Sequence, residues 1–276
     1  MIQDIAPHIY KNEYKQDKPE KNSYIMYFEK GKLLVAIREE EIQYPTFEEM
    51  ERDNPKIYEA ATYLFAIDDN TFYLVDELRF SGNYKWMEKE EFRYARPLHM
   101  AFAGITAYQL HQWYRQHRFC GRCGNLMKKD EKQRMLFCDS CHMMEFPKIC
   151  PAVIVAVTDG NRLLLTKYAG RRFKNYALVA GFAEIGETIE ETVRREVMEE
   201  VGLHVKNIKY YKSQPWSFSD TLLFGFFCEV DGSSEVVLDE DELGEAVWFE
   251  REEIPVTEKT VSLTNEMILL FKQGEA

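Results

Sequence analysis

A chain of 276 residues with 45% hydrophobic and 14% aromatic side chains is long and apolar enough to bury a substantial core, which excludes a disordered tract. The net charge of -12 and pI near 5.1 argue against a salt-driven grip on long nucleic acid as the principal activity, although metal ions can bring a nucleotide to an acidic surface. No run approaches 18 uncharged apolar residues, and Met1 to Lys21 lacks the apolar core of a signal peptide, so the expected setting is cytoplasmic with no membrane partner.

Residues 1–117 read as an α+β domain. Tyr24–Phe28 and Leu33–Arg38 flank Lys30-Gly31, and Thr62–Ile67 and Phe72–Val75 flank Asp68-Asp69-Asn70. β-Branched and aromatic residues on either side of turn formers predict two β-hairpins. Leu98, Phe102, Ile105, Tyr108 and Trp113 recur at roughly helical spacing and predict a helix over Leu98–Gln116. This half shows no catalytic constellation, and His99, His111 and His117 are expected to pack or face solvent rather than ligate a metal.

Residues 118–147 form a cysteine module, Cys120-x2-Cys123 and Cys138-x2-Cys141 with 14 residues between the pairs. Four thiolates so spaced can surround one ion tetrahedrally, and zinc is the usual occupant. A closed four-cysteine shell leaves no position for water, so a structural zinc ribbon is expected. Arg118, Arg122, Lys128, Lys129 and Lys132 offset the negative charge of the thiolates. With Cys150 and Cys228 standing apart, the pattern fits a reduced protein and not a disulfide framework.

From residue 148 strands and helices alternate, which predicts a mixed sheet with helices packed on it. Strands are expected at Ala152–Val157, Leu163–Lys167, Lys209–Lys212, Leu222–Val230 and Ala246–Phe249, with Asp159-Gly160-Asn161 turning the first hairpin. Helices are expected at Thr188–Val201 and Val261–Lys272. On the first helix Ile189, Val193, Val197 and Val201 share an apolar face, and Glu196 and Glu200 project about 40° apart beside it. Glu199 lies about 60° to the other side of Glu196. Like charges at that spacing, half-buried, are costly. A divalent cation removes the cost, and carboxylate plus phosphate oxygens is the ligand set of Mg2+.

Gly181, Glu187, Arg195, Glu196, Val197, Glu199, Glu200, Gly202 and Leu203 fill every fixed position of Gly-x5-Glu-x7-Arg-Glu-(aliphatic)-x-Glu-Glu-x-Gly-(aliphatic). This segment resembles the Nudix box. Ten residues later comes Ser213-Gln214-Pro215-Trp216-Ser217-Phe218-Ser219, in which Trp216 and Phe218 would share a face if extended. An N-terminal domain, zinc ribbon, box and Ser-Gln-Pro-Trp in that order resemble the NADH pyrophosphatase family of Nudix hydrolases. The likeness covers the chain well from about residue 98 and weakly before it.

The resemblance implies a C-terminal α/β/α sandwich over residues 148–276 and cleavage of NAD(H) between its phosphates to NMN(H) and AMP. It implies that Glu196, Glu199 and Glu200 bind Mg2+ or Mn2+, joined by Glu242 of the acidic run Asp239–Glu242, and that Glu187 pairs with Arg195. It places Ala180, Phe182, Gln214, Trp216 and Phe218 at the substrate, with Phe146 and Ser262 where the family has a tyrosine and an alanine. Ser217 and Ser219 replace two family prolines, leaving the motif less preorganised. A homodimer, and removal of NAD caps from RNA 5′ ends, are further implications. Two other readings stay open: a Nudix hydrolase for ADP-ribose or another nucleoside diphosphate derivative, and a non-catalytic nucleotide-binding zinc-ribbon protein.

Overall fold

The computed structural model describes residues 1–170, 176–239, 241–255 and 261–275. Two compact units emerge. One comprises Ile2–Lys148 with Ser217–Ser219, the other Met1, Ile149–Trp216 and Asp220–Ala276.

The first unit contains β1 (Tyr10–Lys11), β2 (Tyr24–Glu29), β3 (Lys32–Arg38), β4 (Glu41–Gln43), the short helices α1 (Phe47–Met50) and α2 (Ile57–Ala60), β5 (Thr62–Ile67), β6 (Asn70–Val75), β7 (Lys85–Met87) and α3 (Leu98–Gln116). The strands lie in the order β1-β5-β6-β2-β3-β4, with β7 beside β3. Both predicted hairpins are present. Lys30 (φ 50°) and Gly31 (φ 80°) are both left-handed between the paired Glu29 and Lys32, the backbone a two-residue type I′ turn needs. Ile25, Leu34, Phe47, Tyr63 and Tyr73 fill the core of this sheet. Helix α3 has the predicted span and buries Met100, Phe102, Ile105 and Trp113.

The cysteine module folds as a small antiparallel sheet of β8 (Lys128–Lys129), β9 (Leu136–Phe137) and β10 (Met144–Glu145). It is tied to the larger sheet: Tyr14 donates to the Asp130 carbonyl (2.9 Å), and Arg134 donates to the carbonyls of Leu64 and Asn12.

The second unit contains β11 (Cys150–Asp159), β12 (Arg162–Tyr168), β13 (Val179–Phe182), α4 (Ile189–Val201), β14 (Val205–Trp216), β15 (Thr221–Val230), β16 (Leu243–Glu250) and α5 (Leu263–Gln273). Strand order is β14-β15-β11-β12-β16, with β13 on β11. β11 runs parallel to β15 and antiparallel to β12 and β13, so the sheet is mixed, as expected. Alternation along β11 sets the layers. Val153, Val155 and Val157 pack with Val193, Val197 and Val201 of α4. Ile154 and Ala156 pack with Leu263, Met267, Ile268 and Phe271 of α5. The sheet is therefore sandwiched between two helices. Among the described residues no helix is long and apolar enough to cross a membrane.

Two local expectations change. β14 is longer than Lys209–Lys212, because the ladder to β15 resumes past irregularities after Lys206 and Tyr210. It also ends at Trp216, which pairs with Thr221, and Ser217–Asp220 turn the chain back. Trp216 and Phe218 therefore do not share the face of one strand. The Phe218 ring lies under the Arg93 guanidinium, 4.4 Å from its centroid, and its carbonyl accepts from Lys89 (2.9 Å).

Candidate active site

Helix α4 starts where its sequence says it should. Thr188 accepts from the Glu191 amide (3.2 Å) and Glu191 accepts from the Thr188 amide (2.7 Å), a reciprocal capping box. It stops at Gly202, whose φ of 70° closes the helix and where a Cβ would fall 2.8 Å from Val237. With its valine face fixed to the sheet, the three glutamates separate by environment. Glu196 and Glu200 are 8% and 2% exposed, whereas Glu199 faces solvent.

The two buried carboxylates meet β13. Glu196 lies flush against Gly181: a Cβ there would fall 2.0 Å from the Glu196 carboxyl carbon, so the glycine is needed for close approach. Glu200 takes a hydrogen bond from the Ala180 backbone, but its Oε2 is buried without a partner. Desolvation, reinforced by the charges of Glu196, Glu242 and Asp239, pushes the Glu200 carboxyl up to about 8. Glu196 is also raised, by burial first, against the pull of Arg195. Glu242 is exposed just before β16, and its charge acts on both buried glutamates. Glu240 lies outside the described residues. Glu196 and Glu200, the latter with one orphaned buried oxygen, offer the hard oxygen donors a divalent cation takes, although among the described residues only the four cysteines gather three or more ligand atoms within 4.8 Å of one another.

Arg195 orders this cluster. Its Nε and Nη2 clamp both oxygens of Glu187 (2.5 and 2.9 Å), Nη1 donates to Glu196 and Glu199 (each 2.8 Å), and Nη2 also reaches the Phe182 carbonyl (2.9 Å). These five bonds use the five N–H donors of a guanidinium. Arg195 holds the Glu187 carboxyl down near 2, helped by the Glu184 amide and Thr192. Residues 148–271 match the NUDIX domain family.

Two substitutions test how the loop before α4 holds its glutamates. Gly181→Ala is expected to displace the Glu196 carboxylate and lower turnover roughly a hundredfold, about 3 kcal/mol, with a nearly unchanged melting temperature. Wild-type turnover would show that the close approach has no catalytic consequence. Arg195→Lys keeps the charge but offers three donors for five acceptors. Its turnover should fall at least tenfold with cation affinity, as read from Mg2+ titrations of rate; an unchanged titration would contradict the orienting role.

The chain is 41% identical over 148 residues to the NAD-capped RNA hydrolase NudC of Citrobacter koseri, and equally to that of Enterobacter sp.. Each alignment covers 54% of this chain and 57% of the relative, so the chain spans about half the length of the curated relatives it matches. The crystal structure of a NUDIX hydrolase from Nitrosomonas europaea aligns at a TM-score of 0.48 and 20% identity, over 56% of this chain and 91% of that one.

The four ribbon cysteines come together as expected. Their sulfurs lie within 4.8 Å of one another, with Cys120 and Cys141 at 3.4 Å and Cys123 and Cys138 at 3.4 Å. The Arg122 amide points at the Cys120 sulfur and the Asn125 side chain at that of Cys123 (each 3.4 Å). The Asn125 backbone amide, then the neighbouring thiols, lower the Cys123 thiol, while burial and the same neighbouring thiols raise that of Cys141, so the cluster shares protons that a bound metal would displace.

The residues expected at the substrate divide. Ala180 and Phe182 flank Gly181 beside Glu196, and the Phe182 side chain is exposed. Gln214 is fully buried: its amide donates to the Val261 carbonyl (3.1 Å) and accepts from the Leu263 amide (2.7 Å). Ser262, between those two backbone groups, caps α5 through the Asn265 amide (3.4 Å). Trp216 is half-buried at the end of β14, and Phe146 is exposed just after β10. Asp239 and Thr192 were not singled out from sequence. Asp239 binds the Glu200 carbonyl through its amide (3.1 Å), and the Thr192 hydroxyl donates to Glu187 (3.0 Å). Only the three-residue spacing of Asp239 from Glu242 hinted at the former.

Proposed function

We propose that this protein is a divalent-cation-dependent diphosphatase that hydrolyses the pyrophosphate bond of NAD(H), giving NMN(H) and AMP, and that cuts the same bond at NAD-capped RNA 5′ ends. The hydrolytic reading is carried by the orphaned, buried oxygen of Glu200 beside Glu196 in a complete Nudix box. Glu196, Glu199 and Glu200, with Glu242, are assigned as ligands of Mg2+ or Mn2+. Such a cation neutralises phosphate oxygens and acidifies the attacking water. Glu187 and Arg195 orient the glutamates. Ala180 offers its main chain and Phe182 and Trp216 offer ring faces to the dinucleotide. Gln214 and Ser262 shape its site through the start of α5.

Cys120, Cys123, Cys138 and Cys141 are assigned to a structural Zn2+. The division into an N-terminal domain (1–117), zinc ribbon (118–147) and Nudix domain (148–276), a homodimer and a cytoplasmic location belong to the same reading. Ser213–Trp216 and the relatives named NAD-capped RNA hydrolase support the choice of substrate.

The deciding experiment is a hydrolysis panel of NADH, NAD+, ADP-ribose and NAD-capped RNA with Mg2+ or Mn2+. NMN(H) and AMP are the expected products; vigorous ADP-ribose cleavage without them would defeat the substrate assignment. ADP-ribose is the second reading because the Gln214 amide is already committed to Val261 and Leu263.

A further inference from the structure

The N-terminal unit contains a concavity of about 540 Å3, the size range of small-ligand sites, formed where the end of β6, the last turns of α3 and the cysteine module meet. Its charges are sorted by element. Arg115, Arg118 and Lys129 enter from α3, the residues after it and β8, whereas Asp76 and Glu77 enter from the end of β6. Among the described residues the side chains of Arg115, Asp76 and Glu77 form no ion pair and no hydrogen bond, although they line one cavity in a chain of net charge -12. Lys129 lies 5.2 Å from the centroid of the Tyr114 ring, which also lines the cavity. His111, on the same wall, is held mostly neutral by burial and by Arg115, and burial also lowers Lys129, so the two arginines are the fixed cations there.

We infer that this concavity is a second nucleotide site, with Arg115, Arg118 and Lys129 taking the phosphate and Asp76 and Glu77 accepting hydrogen bonds from ribose hydroxyls. Guanidinium groups suit phosphate because they donate in pairs from a fixed fork. Carboxylates suit the sugar because an ionised carboxylate accepts only, and ribose hydroxyls donate. Tyr114 provides a ring edge for the base. A purely anionic ligand such as inorganic phosphate would leave the two carboxylates repelled and unpaired. The same chemistry is presented by a free mononucleotide and by one nucleotide of an RNA strand.

The test uses the full, zinc-loaded chain without added Mg2+ or Mn2+, titrated calorimetrically with AMP, 2′-deoxy-AMP and a capless hexaribonucleotide. Arg115→Ala/Arg118→Ala should lose one AMP site per chain or weaken it at least tenfold, about 1.4 kcal/mol. Asp76→Asn should erase the preference of wild type for AMP over its deoxy analogue. All these side chains are exposed, so melting temperature and the kcat and KM for NADH should stay at wild-type values. Loss of AMP binding alone assigns the site to free nucleotides, and loss of hexanucleotide binding alone assigns it to RNA. AMP and hexanucleotide isotherms unchanged in the double variant, or equal wild-type affinity for AMP and deoxy-AMP, would overturn the assignment.

Discussion

Glu200→Gln is expected to lower turnover by three orders of magnitude or more, about 4 kcal/mol in the barrier, while the protein stays folded. The amide is isosteric and still accepts from the Ala180 backbone, but it cannot supply the anionic oxygen that a divalent cation needs. Stability should respond in the opposite direction. Burial lifts the folded-state carboxyl from 4.5 to about 8, so the folded protein binds this proton more tightly than the unfolded chain. The associated stability is fully present below pH 4.5 and is lost as pH rises towards 8, by a few kcal/mol in cation-free protein. Glutamine abolishes that loss. The variant should therefore melt above wild type at pH 8, by a margin that shrinks at pH 5 and closes when Mg2+ is added to the wild type. Near wild-type turnover would remove Glu200 from the ligand set, and a melting difference independent of pH would remove the desolvation argument.

Cys138→Ser is expected to act on the fold. Cys138 is fully buried in a small cluster with Trp113, Cys120, Met127 and Leu136, so the proposed zinc and the packing would stabilise the same few residues. That cluster is too small to order the module unaided, and structural zinc in peptides of this size contributes on the order of 10 kcal/mol. The variant should lose its zinc and melt well below wild type. Turnover per folded molecule should fall far less than in Glu200→Gln, because none of the four module cysteines belongs to the glutamate cluster of α4. Zinc analysis and thermal melts read this directly. A variant that kept both zinc and melting temperature yet lost turnover would make the site catalytic.

Much of this was legible in the residues themselves, for identifiable reasons. Helix α4 could be read because Thr188, the valine stripe and Gly202 are local signals, each acting within one or two turns. The cysteine knuckles could be read because ligand spacing is a property of the chain. β13 could not. Val179-Ala-Gly-Phe182 is short, and its Ala-Gly centre is poor in strand formers, so only pairing with Ile154 and its neighbours on β11 makes it a strand. The role of Gln214 was hidden for the same kind of reason: its partners lie 47 and 49 residues away, and only the docking of α5 brings them to it.

The amino-acid sequence by itself carried the proposed reaction class, through nine residues whose spacing falls on one loop and helix, and the four-cysteine module, through the spacing of its thiols. Those are short-range features that survive whatever the rest of the chain does. Tertiary structure decided which carboxylates are desolvated, because burial depends on the sheet that α4 covers. It drew Glu196 against Gly181 and left Glu199 in solvent. It also directed Gln214 to the backbone of α5 and Phe218 to Arg93, and gathered Arg115 and Asp76 into one concavity from segments 39 residues apart, placements that depend on long-range packing and that no local pattern encodes.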